Sequence, residues 1–266
     1  MLNDNFYIKK KGFCESEFRD SNIEYFNSAS SLISSILGIL GIYQDANSFH
    51  DNFMYSYLFT CGIYSFLYHL YNLKGQQYLD RLSMIMPMSY GNLLIYNFYF
   101  EQLTNNNNSR KLYYLIFSSG VTIPIVFTQF TKKFRFIIIT LVVLSGGFFF
   151  IASDYRSKFP KNSKQIKCID NIIDCFRNGV LWVIISAGCW YLSEASCRDK
   201  TLKIKNETLK KIAGIYFHGL WHILAGYGFY QLTFALKVIY LFRDNHENEE
   251  IINKINNSLK KTIPRY

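Results

Sequence analysis

The stretch Phe217-His-Gly-Leu-Trp-His222 places two imidazoles inside an apolar run that extends over residues 212–242. A run of this length exceeds the roughly 20 residues that an α-helix needs to cross a bilayer. Histidine is costly in such a helix unless it pairs with a polar group or binds a ligand. His218 and His222 are four residues apart, so they lie on one face of the helix. The stretch therefore predicts a membrane helix that carries a functional site.

Six further apolar runs precede this one, and together they predict an all-α membrane protein, a bundle of seven transmembrane helices. The predicted spans are 25–44, 53–71, 82–100, 112–130, 134–152, 179–192 and 212–242. The sixth is short, and we expect it to extend toward Phe176. Residues 1–24 form a head before the bundle at 25–242, and residues 243–266 form a polar tail. The longest connection, 153–177, is strongly basic.

The chain carries a formal net charge of +10, and its basic clusters flank the apolar runs. Basic clusters in these positions contact anionic lipid head groups. The charge therefore favours the lipid bilayer as a partner over nucleic acid, and no feature of the sequence indicates an obligate protein partner. Basic residues are nearly balanced between the two sides of the predicted bundle, so the positive-inside rule does not decide its orientation.

A third histidine, His69, lies near the end of the second predicted span, four residues after Ser65. Because successive spans alternate in direction, His69 and the later histidine pair approach the same end of the bundle. Asp80, just before the third span, approaches that end as well, together with Glu24 and Asn27 at the start of the first span. Polar residues from four spans thus converge, and the convergence predicts a site.

Three histidines with one open position are the ligand set of a hydrolytic zinc site. Zinc on His69, His218 and His222 would keep a water in the fourth position and lower its pKa toward ~7. Asp80 could take the proton of this nucleophilic water and pass it on, and the Ser65 hydroxyl could stabilise an oxyanion. Structural roles stay open for each residue, such as helix packing for Ser65 and an interfacial charge for Asp80. In a membrane bundle, the set implies a lipid substrate.

At these residues the chain resembles the alkaline ceramidase family. That family belongs to a superfamily of seven-span membrane hydrolases that also holds the progestin/adiponectin receptors and Per1-type proteins. The superfamily pattern Glu-x-x-Asn, Ser-x-x-x-His, Asp, His-x-x-x-His reads here as 24–27, 65–69, Asp80 and 218–222. Residues 77–85 and 217–228 resemble the sequence motifs of ceramidases in finer detail. The resemblance implies an amidase that splits ceramide into a sphingoid base and a fatty acid.

The resemblance also implies a calcium site beside the zinc, because the family combines an acidic head with the glutamate of the first span. The ligands carried over are Glu15, Glu17 and Glu24, with the backbone carbonyl of Phe13, and oxygen donors suit calcium. The family has Asp where this chain has Gly12, and Asn at the position of Glu17. A solvated acidic head is the alternative interpretation.

The family joins two cysteines in a disulfide at the positions of Cys14 and Cys197, so the resemblance implies this bond here. A disulfide needs an oxidising compartment. The N-terminus is then expected in the lumen of the endoplasmic reticulum or Golgi, with the C-terminus in the cytosol. Cys168 and Cys175 fall on the opposite side and are expected to be reduced.

Two other functions stay open. A lipid-remodelling esterase of the same superfamily would use the same site, although the head at Cys14-Glu15 argues against it. A seven-span lipid receptor would bind a lipid with little turnover, and the sequence shows no motif of G-protein-coupled receptors. The sixth span departs from the family pattern, because Ser193 stands where the family has Asp. We expect this difference to alter contacts with the head group of the substrate.

Overall fold

The computed structural model describes Glu15 and residues 23–45, 49–103, 135–197 and 206–262. Within these ranges the chain forms helices and no strand, which confirms the all-α prediction for them. A π-helical turn, Ile212–Tyr216, lies directly before the seventh α-helix. The α-helices are α1 (Tyr25–Asp45), α2 (Phe49–Tyr71), α3 (Lys74–Leu103), α4 (Arg135–Lys158), α5 (Lys164–Cys197), α6 (Glu207–Lys211), α7 (Phe217–Asn245) and α8 (Glu249–Thr262).

Helices α1 to α5 and α7 cover the positions of six predicted spans, and the fourth predicted span, 112–130, lies outside the described residues. The prediction of a long connection at 153–177 is wrong. Helix α4 continues to Lys158, and α5 begins at Lys164 and runs for 34 residues, or about 51 Å. No proline interrupts the polar start of α5, so the helix extends well beyond its apolar part.

Two helices in the described ranges are long and apolar enough to cross a membrane, namely Tyr25–Tyr43 and Lys164–Ala195. Both expose large apolar side chains. Ile36 and Ile39 of α1 are 51% and 52% exposed, and Leu181 and Ile184 of α5 are 50% and 58% exposed. Meanwhile α1 buries Asn27 together with five serines. Exposed apolar faces of this kind mark surfaces that contact lipid or another apolar partner.

The helices divide into two compact units. The first comprises Met1–Ser83 and Gly179–Tyr230, and the second comprises Met84–Asn178 and Gln231–Tyr266. The first unit thus holds α1, α2, the start of α3, the end of α5, α6 and the start of α7. Every predicted catalytic or metal-binding residue that the structure describes belongs to it.

Small residues allow the helices of the first unit to approach closely. A methyl group on Gly38 of α1 would lie 2.5 Å from the amide nitrogen of Phe59 in α2. Beside this contact, the Ser35 hydroxyl donates a hydrogen bond to the Phe59 carbonyl at 2.8 Å. A methyl group on Gly226 of α7 would lie 2.6 Å from the Ser34 hydroxyl oxygen. Packing through glycine and serine is typical of helices that associate within membranes.

The second unit contains α8, which lies in the segment that the sequence marks only as a polar tail. Three apolar side chains of α8 are buried, namely Ile252, Ile255 and Leu259. They recur at the spacing i, i+3, i+7, so a narrow stripe suffices to dock an otherwise polar helix. An exposed ion pair between Lys164 and Glu249, with a distance of 2.7 Å, joins the start of α5 to the start of α8.

Candidate metal centre

Three buried histidine side chains meet in the first unit. His69 lies at the end of α2, and His218 and His222 lie in the first two turns of α7. Their ring centroids are separated by 4.9, 5.0 and 5.1 Å. The nitrogens that could bind a metal all lie within 4.8 Å of one another. The structure therefore brings together the three residues that the sequence predicts as zinc ligands.

The donor set and its spacing fit a zinc ion. The Nε2 atoms of His69 and His222 are 3.1 Å apart. Two nitrogens bound tetrahedrally to zinc at ordinary Zn–N distances are about 3.3 Å apart. Imidazole nitrogens suit zinc and other transition metals, whereas calcium and magnesium prefer oxygen ligands. Three ligands also leave the fourth tetrahedral direction for a water or a substrate.

Glu24 holds His69 through both side chain and backbone. The Nδ1–H group of His69 donates to Glu24 Oε2 at 2.6 Å, and both side chains are at most 2% exposed. The Glu24 amide donates to the His69 carbonyl at 3.1 Å. Because Nδ1 carries the proton, Nε2 keeps its lone pair and can bind a metal. A carboxylate in this position is the usual support of a histidine zinc ligand.

Glu15 closes the amino end of α1. Its two carboxylate oxygens accept hydrogen bonds from the amides of Phe26 at 2.8 Å and Asn27 at 3.0 Å. Negative charge is favourable there, because the first N–H groups of a helix have no partner within the helix. The Asn27 side chain in turn donates to Glu24 Oε2 at 3.2 Å. Through Asn27 and then Glu24, hydrogen bonds connect Glu15 to His69.

The predicted calcium site is only partly visible. Phe13 and Glu17 lie outside the described residues, whereas Glu15 and Glu24 are both buried at the start of α1. The Glu15 carboxylate accepts two backbone hydrogen bonds there, and Glu24 accepts one from His69 and one from Asn27. The calcium site therefore stays a prediction.

Ser65 and Asp80 lie beside the histidines, as the sequence predicts. Both side chains are buried, and the Asp80 carboxyl interacts electrostatically with His69 and with the Ser65 hydroxyl. The Ser65 hydroxyl lies close to the Asp80 carboxyl, although its oxygen makes no hydrogen bond of standard geometry with the described part of the chain. The Ser83 hydroxyl donates to the Asp80 carbonyl at 2.7 Å and secures the first turns of α3.

A short reversal of the chain brings Asp80 back to His69. Between α2 and α3, Asn72 adopts the left-handed conformation with φ of 53°. Asparagine is one of the few residues other than glycine that tolerate this conformation. The Asn72 amide donates to the Tyr68 carbonyl at 2.6 Å and ends α2. Across the reversal, the Gln77 side chain donates to the Tyr68 hydroxyl at 2.7 Å.

At this site the structure adds an element that the sequence does not indicate, the π-helical turn directly before α7. The buried Ser193 side chain of α5 donates to the carbonyl of Gly214 within this turn, at 3.0 Å. The adjacent Glu194 is buried as well. A π-helix has no reliable composition signal, so only the unusual Ser193-Glu194 pair draws attention to this contact in the sequence.

The predicted disulfide lies outside the described residues, because Cys14 and the side chain of Cys197 are not among them. The bond therefore stays a prediction. Cys168 and Cys175 are free, buried thiols in the first half of α5. Their reduced state stays a prediction.

Comparison with known proteins assigns the chain to a family. The family model with the description Ceramidase matches residues 10–265, which is nearly the whole chain. No curated protein matches the chain at a significant level. The matched range includes the acidic head, Ser65, Asp80 and the three histidines. The protein therefore belongs to the ceramidase family, the hydrolases that act on ceramide.

Proposed function

We propose that this protein is a zinc-dependent alkaline ceramidase that hydrolyses the amide bond of ceramide inside a membrane. The observation that carries the proposal is the buried triangle of His69, His218 and His222, with the Asp80 carboxyl next to it. Metal ligands and a carboxyl group in one buried site are the components of a metal-dependent hydrolase. The family match supplies the substrate class.

The residues around the histidines have distinct roles in this reaction. Zinc, when bound, supplies Lewis acidity and an activated water. Asp80 accepts the proton of the attacking water and later delivers it to the nitrogen of the leaving sphingoid base. The Ser65 hydroxyl donates to the former carbonyl oxygen while negative charge develops on it. The C–N bond breaks, and the products are a fatty acid and a sphingoid base.

Glu24 and Asn27 act before the chemistry begins. Glu24 keeps the His69 proton on Nδ1, so that Nε2 stays a ligand, and Asn27 orients the Glu24 carboxylate. A calcium ion between the acidic head and Glu24 belongs to the proposal, with Phe13, Glu15 and Glu17 as further ligands. Such an ion would act on the zinc centre through the hydrogen bond that His69 donates to Glu24.

The fold of the proposed enzyme is a seven-span bundle with its N-terminus in the lumen of the endoplasmic reticulum or Golgi and its C-terminus in the cytosol. Helices at six predicted span positions support the membrane bundle, as do the exposed apolar faces of α1 and α5. The lipid chains of the substrate would then lie against apolar side chains, while its amide reaches the polar end that holds the histidines. A disulfide between Cys14 and Cys197 would fit the luminal side.

Purified protein in lipid nanodiscs provides the test. We would measure bound zinc and the hydrolysis of a fluorescent ceramide for the wild type, for His218→Ala and for His246→Ala. His246 belongs to the second unit, where its ring donates to the Arg243 carbonyl at 2.9 Å, so its variant is the matched control. We expect one zinc per chain and ceramide turnover in the wild type and the control, and loss of both in His218→Ala.

Other outcomes would contradict the proposal in recognisable ways. Equal ceramide turnover in His218→Ala and the wild type would exclude a catalytic zinc on these histidines. Faster hydrolysis of a matched ester than of the amide would favour a lipid-remodelling esterase. Stoichiometric ceramide binding without turnover would favour a receptor.

A further inference from the structure

The π-helical turn Ile212–Tyr216 lies between α6 and α7 and ends two residues before His218. In an α-helix, the Gly214 carbonyl would accept a hydrogen bond from the amide of His218, four residues on. In a π-helix, each amide bonds five residues back. The wider turn rotates the following residues by about 100° relative to the preceding helix. It therefore determines how His218 and His222 are oriented relative to α6.

Two neighbouring helices hold this turn in place. From α5, the Ser193 hydroxyl donates to the Gly214 carbonyl at 3.0 Å, and the Ser193 residue is only 1% exposed. From α1, the Phe26 ring meets the Tyr216 ring edge to face, with centroids 5.4 Å apart. A methyl group on Gly219 would lie 2.1 Å from the Phe26 ring, so no larger residue fits there without displacing the ring.

The bond from Ser193 has a specific consequence for the histidine pair. It provides the Gly214 carbonyl with a donor that does not depend on the α-helical register. In the π-helical register the backbone donor to this carbonyl would be the Gly219 amide, five residues on. Without Ser193 the turn loses a bond that holds it in that register, and the carbonyl is freer to return to the His218 amide. That return would remove the π-helical turn, and the histidine pair would rotate or move relative to His69.

We propose that Ser193 is a positioning residue for the metal centre, which it serves by holding the π-helical turn that orients His218 and His222. The proposed effect of Ser193 passes through the Gly214 carbonyl. The inference rests on the proposed function only where it names zinc as the ligand of the histidines. The hold on the π-helical turn is a property of the protein alone.

Helix α5 offers a matched control. Ser186 is also buried in the first unit, but its hydroxyl donates to the Val183 carbonyl of its own helix at 2.7 Å. Ser186→Ala removes a buried hydroxyl from the same helix without touching the π-helical turn. Ser193→Thr keeps the hydroxyl of Ser193, whereas Ser193→Ala removes it.

Two measurements on the full-length variants test the proposal. The first is zinc affinity, by competition with a chromophoric chelator. We expect Ser193→Ala to bind zinc about tenfold more weakly, at the lower end of the effect of residues that support metal ligands. The second is amide hydrogen exchange over residues 212–222 in the metal-free protein. We expect faster exchange in Ser193→Ala, and values close to wild type for Ser193→Thr and Ser186→Ala.

Unchanged zinc affinity and unchanged exchange in Ser193→Ala would overturn the proposal. An equal loss in Ser186→Ala would overturn it too, because the cause would be general packing, and an equal loss in Ser193→Thr would exclude the hydroxyl as the cause. A wild type that neither binds zinc nor hydrolyses ceramide would overturn the proposed function. In that case the exchange rates of the metal-free variants would still decide the role of Ser193.

Discussion

His69 donates a hydrogen bond to the Glu24 carboxylate at 2.6 Å, and the amide of Glu24 returns one to the carbonyl of His69 at 3.1 Å. These two bonds fasten the start of α1 to the end of α2 at the candidate metal centre. The side-chain bond selects the tautomer of His69. The backbone bond fixes the end of α2 against the start of α1. The pair therefore makes Glu24 the residue that orients His69 as a candidate metal ligand.

Glu24→Gln tests this relationship. The neutral amide can still accept from Nδ1–H, but it loses the charge that raises the basicity of the imidazole. We expect zinc affinity to fall by about 10- to 100-fold, measured by chelator competition. Glu249→Gln is the control, since Glu249 is an exposed partner of Lys164 in the second unit. A Glu24→Gln variant with wild-type affinity would contradict the supporting role.

Asp80→Asn separates proton transfer from metal binding. Asparagine has nearly the same shape but cannot accept a proton from water. We expect kcat for ceramide to fall by about 10²- to 10⁴-fold, with the zinc content unchanged. Asp154→Asn is the control, because Asp154 is an exposed partner of Lys158. If zinc is lost together with activity, Asp80 supports the metal centre and does not act as the proton acceptor.

Ser65→Ala removes the hydroxyl that faces the Asp80 carboxyl. If this hydroxyl stabilises the oxyanion, kcat should fall by about 10²-fold, while KM and zinc content stay close to their wild-type values. Steady-state kinetics on a fluorescent ceramide would measure the split. Ser35→Ala, a buried serine that bonds the Phe59 carbonyl, is the comparison. An equal decrease in both variants would indicate loss of packing.

Substitutions at Asn72 test the chain reversal that brings Asp80 to His69. Asn72→Gly keeps access to the left-handed conformation, so we expect stability and turnover close to wild type. Asn72→Val is expected to cost roughly 1–2 kcal/mol of folding free energy, because its branched side chain disfavours positive φ. Thermal denaturation with parallel turnover assays would measure both effects. Similar behaviour of the two variants would show that backbone conformation does not matter here.

Much of this architecture follows from local patterns in the sequence. Apolar runs predict helices at six described positions, and the four-residue spacing of His218 and His222 places them on one helical face. The approach of His69 and Asp80 to the pair His218 and His222 follows from the alternating directions of the predicted spans, so it too can be predicted. These features need no knowledge of side-chain contacts.

Other features depend on contacts that no short pattern encodes. The sequence of α8 looks like a polar tail because only three of its apolar side chains are buried. The polar first half of α5 is helical although its composition resembles a loop. Within the π-helical turn, Gly214 accepts a hydrogen bond from Ser193 of another helix, 21 residues away in the chain. The family resemblance implies a calcium-binding role for Glu24, but the contact of Glu24 with His69 emerges only in three dimensions.

The bond of Glu15 to the start of α1 has a consequence for how this enzyme would be dissected. Glu15 lies three contacts from the histidines, through Asn27 and then Glu24. A substitution or an affinity tag in the head would disturb the metal centre without touching it. In an activity screen, such a lesion would have the phenotype of a ligand mutation, and only direct metal analysis of each variant would distinguish the two.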